Sequence, residues 1–308
     1  MKRVCVVGGG RFGINHIRTL YEMGNLAGIV EINSERLNEL LSEYPVKGYS
    51  DLQSALNDGF DGFVVATPAP THYALGKRII EAGYPVLIEI PMTLKASESL
   101  ELVELAENKK VNLMVGHLLL FHPAIRKIKE EIDEGLIGDI RYIYSTRIKF
   151  GVVRTEENVW WSFAPHDISV IEYLIGKTCI GVKLVGADIL GHNLEDSVIA
   201  HLEYPDGIKA HIFVSWMHPF RETRLVVIGS KGMISFDDSG DKKIHYYNQY
   251  VEFEGGIPKM NYSEDEVLEY EMSSPLENEL KYFIEHLNKI IEINDGTHGL
   301  GVVKILDA

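Results

Sequence analysis

The stretch Lys2-Arg3-Val4-Cys5-Val6-Val7-Gly8-Gly9-Gly10-Arg11-Phe12-Gly13 decides the fold, together with one acidic residue, Glu31, about twenty positions later. Lys2 to Val7 is an apolar run suited to a fully buried strand. It breaks directly into Gly8, Gly9 and Gly10, and an amphipathic stretch follows from Ile14 to Met23. A second apolar run, Leu26 to Val30, ends at Glu31, so the unit reads strand, glycine turn, helix, strand, carboxylate. In G-x-G-x-x-G the first glycine (Gly8) permits the tight turn, and the second (Gly10) lets a pyrophosphate approach the backbone. The third (Gly13) lets the helix pack against the strand. Arg11 and Phe12 lie within the same turn, where the helix start offers unpaired N–H groups and a positive dipole end to phosphate. Glu31 is placed to accept hydrogen bonds from an adenosine ribose and would repel a 2′-phosphate, which favours NAD over NADP.

A chain of 308 residues exceeds the usual single-domain size, so two domains are expected, each able to bury its own core. Apolar residues make up 45% and charged ones 24%, the balance of a globular protein. A formal charge of −15 repels phosphate at long range and argues against nucleic acid or an anionic membrane surface as partner. Cys5 and Cys179 are the two cysteines, so there is no disulfide framework and a reducing cytoplasm is expected. No basic segment with a cleavable apolar stretch opens the sequence, and no run of 18 apolar residues occurs.

Further along, helical spacing at Asn33–Glu43, a short helix at Asp51–Leu56 and a third buried strand at Gly62–Ala66 continue the alternation. Thr67-Pro68 opens a helix through Ala82, Val86–Glu89 is a fourth strand ending at Glu89-Ile90-Pro91, Ser97–Lys109 is helical, and Asn112–Val115 leads into Gly116-His117. The alternation predicts a doubly wound parallel sheet over residues 1–120, with ligands beyond the carboxyl ends of its strands. From residue 121 to 308 the pattern predicts a second domain for substrate binding and oligomerisation. After the helix Pro123–Glu134, it is built on a large open, mainly antiparallel sheet. Its strands are expected at 141–150, 180–190, 197–204, 208–216, 224–228, 233–237 and 243–247, with hairpin turns at Pro205-Asp206-Gly207 and Gly229-Ser230-Lys231-Gly232. Helices are expected at Pro165–Leu174 and Leu276–Asn288, with a turn at Asn294–Gly301 before a last short helix, and Tyr250–Glu271 reads as an irregular acidic excursion.

This order of elements, with a Glu-x-Pro after one strand and a His-Asp-Ile on an inserted helix, resembles the Gfo/Idh/MocA oxidoreductases, which are NAD(P)-dependent dehydrogenases of sugars and cyclitols. Within that family, Asn158 to Ile168 (NVWWSFAPHDI) is similar to the branch acting at C3 of UDP-linked amino sugars or their uronates. The resemblance implies that Thr67, Pro68 and His72 lie beside the adenosine half of the cofactor. It also implies that Glu89 and Pro91 form a turn near the nicotinamide, with a bond to proline that is often cis, and that His166 serves as general acid or base on the substrate hydroxyl. The four positions before His166 begin at Ser162, where relatives often carry Asp. Two departures stand out: Ile90 replaces the lysine of the family's E-K-P, and Leu120 stands where many relatives carry arginine.

Removing hydride from a secondary alcohol requires its O–H proton to leave at about the same time, so a base must sit within hydrogen-bond reach. His166 fits that need. Asp167 either orients the helix or caps it. Glu89 is expected to grip backbone or ribose. Lys149 and Arg147 share one face of a strand, with Arg154 just beyond, and Lys149 or Arg154 is a candidate to contact a diphosphate or sugar hydroxyl. Trp160 and Trp161 either stack on a ring or fill core, with Trp161 and Ser162 taken as substrate candidates. His117 is assigned to the cofactor site, and His117, His122 and His201 show no metal-ligand spacing with a cysteine, so no metal is expected. The expected activity is an NAD-dependent dehydrogenase of a sugar, probed against the alternative of a non-catalytic NAD- or sugar-binding protein that Ile90 suggests. A third reading is an enzyme whose cofactor stays bound between cycles. A homodimer or homotetramer is expected.

Overall fold

The computed structural model describes residues 2–240 and 243–308. The chain forms two units, one running up to Phe121 and including Ser273–Asp307, the other spanning His122–Met272.

In the first unit, β1 (Val4–Val7), β2 (Leu26–Val30), β3 (Lys47–Tyr49), β4 (Gly62–Val65), β5 (Val86–Ile88) and β6 (Leu113–Val115) lie in the order β3-β2-β1-β4-β5-β6. All pairings are parallel. The connecting helices are α1 (Gly13–Glu22), α2 (Ser34–Glu43), α3 (Leu52–Leu56), α4 (His72–Glu81) and α5 (Ala96–Lys109). Every residue of β1 and β4 is buried, as the apolar runs required of strands covered on both faces. Because β1 pairs with both β2 and β4, the strand order reverses there, and the loops after β1 and β4 open a crevice. Asn33 caps α2 through its side chain, accepting from the Arg36 N–H.

The second unit contains α6 (Pro123–Asp133), β7 (Ile140–Phe150), α7 (Val159–Ile175), β8 (Gly181–Ala187), β9 (Ser197–Glu203), β10 (Lys209–Ser215), β11 (Met217–Gly229), β12 (Met233–Asp237), β13 (Ile244–Tyr247), β14 (Tyr250–Glu254), β15 (Ile257–Asn261) and β16 (Asp265–Val267). Eight strands form one sheet in the order β16-β13-β12-β11-β7-β10-β9-β8. It is mainly antiparallel, with β7 and β10 parallel. One face carries buried Ile143, Ala210, Ile212, Val214, Val198, Ala200, Leu225 and Val227, against which α7 packs. On the other face, Val185 and Ile199 are exposed.

Several expectations are corrected. The helix expected from Pro165 starts at Val159, because Asn158 caps it and Pro165 sits inside it rather than at its first turn. The excursion 250–271 holds the β14–β15 hairpin and the edge strand β16. Finally, α8 (Pro275–Glu285) and α9 (Gly296–Leu306) belong to the first unit, not to the second as expected. Leu287 and Phe283 fill the space above Gly62, where a Cβ would stand 2.6 Å from Leu287 Cδ2. Residues 294–295 run beside β6: Val115 N–H donates to Asn294 O at 3.0 Å and Asn294 Nδ2 donates to Val115 O at 2.5 Å. That covers an edge that would otherwise present unpaired backbone groups. Among the described residues, no helix is long and apolar enough to cross a membrane.

Candidate functional site

The glycine turn after β1 separates the three glycine roles by distance. Gly8 has φ +100°, and a Cβ there would lie 2.7 Å from Ala66 O, so the turn needs glycine for both conformation and space. At Gly13 a Cβ would sit 2.0 Å from Gly8 O, which fixes how closely α1 approaches the turn. At Gly10 nothing lies within 4 Å, leaving the backbone open to a ligand. Arg11 and Phe12 are exposed at the start of α1. Glu31 reaches back to the turn: Gly9 N–H donates to Glu31 Oε2 at 2.8 Å and Asn33 N–H to Glu31 Oε1 at 2.9 Å. Its carboxylate thus stands at the tip of β2, as a ribose acceptor must.

The loop after β4 presents Thr67 and Pro68, with Thr67 Oγ1 bonded to Thr71 Oγ1 at 2.6 Å. His72 does not face a ligand. It is 1% exposed, and its ring joins Pro91 O through Nδ1 and Thr67 O through Nε2, both at 2.8 Å. Its work is to tie the loop after β4 to the loop after β5. In the latter, the Ile90-Pro91 bond is cis. Glu89 Oε1 lies 2.5 Å from His16 Nε2, and Ile90 N–H donates to Glu89 Oε2 at 3.2 Å. Burial works against the Glu89 charge, yet the His16 bond and the Ile90 N–H hold its carboxyl below the usual range. The carboxylate therefore grips α1 and its own turn. His117 is buried, edge-on to His298 at 5.4 Å between ring centroids.

Sequence reasoning missed Glu279 on α8. It is fully buried, neither carboxyl oxygen has a hydrogen-bond partner, and burial followed by the Glu89 charge pushes its carboxyl well above the usual range. Burial there favours its uncharged form. The signal that could have found it is its spacing, which places it on the face of Leu276, Leu280 and Phe283, away from the exposed Glu277 and Glu285 of the same helix.

In the second unit, α7 carries the expected residues. Asn158 Oδ1 accepts from Trp161 N–H at 3.1 Å, and its Nδ2 donates to Glu195 Oε2 at 2.7 Å. Trp160 is core, whereas Trp161, Ser162 and His166 are half-buried. Ser162 and His166, one turn apart, share a face. Asp167 is not a cap: it is 5% exposed and turned toward β7, where it accepts from Arg147 and Ser145. Arg147 is thereby taken. Lys149, on the same face of β7, holds its ammonium 5.0 Å from the Phe163 ring centroid. Arg154 stands 3.9 Å from Glu157, at the outer limit of an ion pair. Asp188, His192 and Asp196 offer atoms within 4.8 Å of one another, a grouping the cysteine-based spacing search passed over. Their carboxylates already serve the loop. Asp188 accepts from the N–H groups of Gly191, His192 and Asn193, and Asp196 from those of Ile189 and Leu190 and from Trp216 Nε1.

A glycine turn open at its second glycine, a carboxylate at the tip of the next strand and a reversal of strand order between them make the first unit that of an NAD-binding oxidoreductase. Sequence comparison names the family. Residues 2–117 match the oxidoreductase family with an NAD-binding Rossmann fold, Gfo/Idh/MocA, and residues 125–235 match the C-terminal domain of that family. The chain belongs to the Gfo/Idh/MocA oxidoreductases.

It is 25% identical over 285 residues to UDP-N-acetylglucosamine 3-dehydrogenase of Acidithiobacillus ferrooxidans, spanning 92% of this chain and 87% of the relative. It is 26% identical to scyllo-inositol 2-dehydrogenase (NAD(+)) of Bacillus subtilis over 75% of this chain and 72% of the relative. The fold is shared with the crystal structure of the WlbA dehydrogenase from Bordetella pertussis in complex with NADH and UDP-GlcNAcA. The TM-score is 0.80 at 21% identity, covering 99% of this chain and 94% of the other. The alternative of a non-catalytic binding protein finds no support in these relatives.

Proposed function

We propose that the protein moves a hydride between NAD and a secondary hydroxyl of a sugar, specifically C3 of a nucleotide-linked sugar, with His166 exchanging the hydroxyl proton. The observation that carries this reading is the half-buried strip of α7. It sets His166 one turn from Ser162 while the neighbouring Asp167 is turned inward and held. The likeness over 92% of the chain to a UDP-N-acetylglucosamine 3-dehydrogenase supports the substrate class.

The residues present fit a dinucleotide, since the turn is open at Gly10 and Glu31 stands at the strand tip. When bound, NAD supplies the hydride acceptor. The open backbone at Gly10 and the start of α1 then meet its phosphates, while Gly8, whose N–H is held by Val30 O, and Gly13 shape the turn, with Arg11 and Phe12 at its mouth. Glu31 accepts from a ribose hydroxyl. Thr67 and Pro68 border the adenosine side, and Glu89 and Pro91 shape the loop after β5. His166 takes the substrate proton as the C–H bond breaks, so that the alcohol leaves as a ketone. Trp161 and Ser162 contact the sugar, and Lys149 and Arg154 meet its anionic portion.

NAD reduction followed at 340 nm against UDP-sugars, free hexoses and inositols tests this, with Ile90→Lys run beside the parent. Turnover of a UDP-amino sugar by the parent is the expected result. Turnover by Ile90→Lys alone would sink it. We further propose that the open face of the eight-stranded sheet, where Val185 and Ile199 are exposed, pairs two or more copies in the cytoplasm. A monomeric mass by light scattering would rule that out.

A further inference from the structure

His166 follows directly on a proline inside a helix. Pro165 has no N–H for the carbonyl of Trp161, four residues back, and a proline ring inside a helix crowds the carbonyl at that position. The helix is thus weakened at the turn whose direction decides where His166 points. The next residue is Asp167, and its carboxylate is clamped from the sheet. Arg147 Nε donates to Oδ2 at 2.7 Å, Arg147 Nη2 to Oδ1 at 3.3 Å, and Ser145 Oγ to Oδ1 at 2.6 Å.

Ser145 and Arg147 stand two apart on β7 and therefore on one face, which makes the donor pair a rigid platform. A guanidinium fork on a carboxylate fixes direction as well as distance. Successive helix residues point about 100° apart, so holding Asp167 against the sheet sets His166 at a defined angle away from it.

We propose that Asp167, held by Arg147 and Ser145, is the positioning residue that aims His166 by restoring the rigidity that Pro165 removes from α7. The proposal rests on the reading of His166 as the proton-transfer group. Asp167 touches neither substrate nor cofactor and acts through the helix.

Asp167→Asn keeps the shape and loses the charge-assisted pair. Arg147→Lys keeps a charge and loses the fork. Ser145→Ala removes one donor. With the oxidised sugar as substrate, kcat is expected to fall about 10²-fold in Asp167→Asn, the scale of a misplacement near 1 Å. Arg147→Lys should lose less and Ser145→Ala least, while the NAD dissociation constant of each folded variant stays at the parent's value. A merely structural clamp predicts otherwise: lower melting temperature, but parental kcat once the folded fraction is counted. That outcome overturns the proposal.

The imidazole ring-proton signals of His166 give a second readout that needs no substrate. They are expected to move and broaden in Asp167→Asn and Arg147→Lys. Sharp, parental signals in both variants would also overturn the clamp, even if no tested sugar is turned over and the substrate assignment has failed separately.

Discussion

His166→Ala is expected to lower kcat by about 10² to 10⁴-fold while the NAD dissociation constant changes by less than about twofold. The two quantities separate because they belong to different parts of the chain. In the proposed function the dinucleotide is met by the glycine turn and Glu31 in the first unit, whereas His166 lies on α7 of the second. Loss of the imidazole leaves the alcohol proton to water, and hydride departure from a neutral alcohol then builds charge on oxygen that nothing accepts. Stability should change little, since His166 is half-buried and α7 keeps its anchors at Asn158 and Asp167. Steady-state rates at saturating sugar, beside a direct NAD titration, check both halves. A variant retaining more than about a tenth of parental kcat would assign the proton to another group.

Gly13→Ala is expected to act at the opposite end of the chemistry and to be the most damaging single methyl in the first unit. The added Cβ would stand 2.0 Å from Gly8 O and 2.9 Å from Gly8 C, both backbone atoms of the same turn, so no side chain can swing aside. Either α1 retreats or the turn opens. Overpacking of this kind costs about 1–3 kcal/mol, and the altered turn should bind NAD at least about tenfold more weakly, a loss of about 1.4 kcal/mol. Gly10→Ala is the matched control. With nothing within 4 Å, its methyl should leave the melting temperature near the parent's but still weaken NAD, because it occupies the approach of the pyrophosphate. Thermal unfolding and NAD titration on both variants decide the matter, and parental affinity in Gly10→Ala would place the phosphates elsewhere.

Much of the first unit was legible because its signals are local. A buried run, a glycine turn and an acid at the next strand tip all fall within Lys2 to Glu31, and the spacing alone implies a parallel pair. The start of α7 was misread because a proline commonly opens a helix. Here the cap is Asn158, tied to Glu195 from a distant loop. His72 was assigned toward the cofactor on its motif, yet a motif does not say which way a ring turns, and two carbonyls draw it inward. The parallel β7–β10 pair and the placement of α8 and α9 share one cause. Periodicity tells which face of an element is apolar, not which sheet that face will cover. Glu279 shows the same limit for chemistry: helical spacing puts it on an apolar face, but does not tell that burial there beside Glu89 pushes its carboxyl above the usual range.

The first unit is made from two separated pieces of chain, and this bears on how the protein is born. A ribosome delivers β1 to β6 early, but β6 lacks its neighbour at 294–295 and the space beside Gly62 lacks Leu287 and Phe283 until nearly everything else has been synthesised. The second unit, continuous from His122 to Met272, has no such wait. Although domains usually mature in the order of synthesis, here the half that emerges first is the half that finishes last. A nascent chain interrupted before residue 273 would carry a complete open sheet attached to an unfinished nucleotide fold.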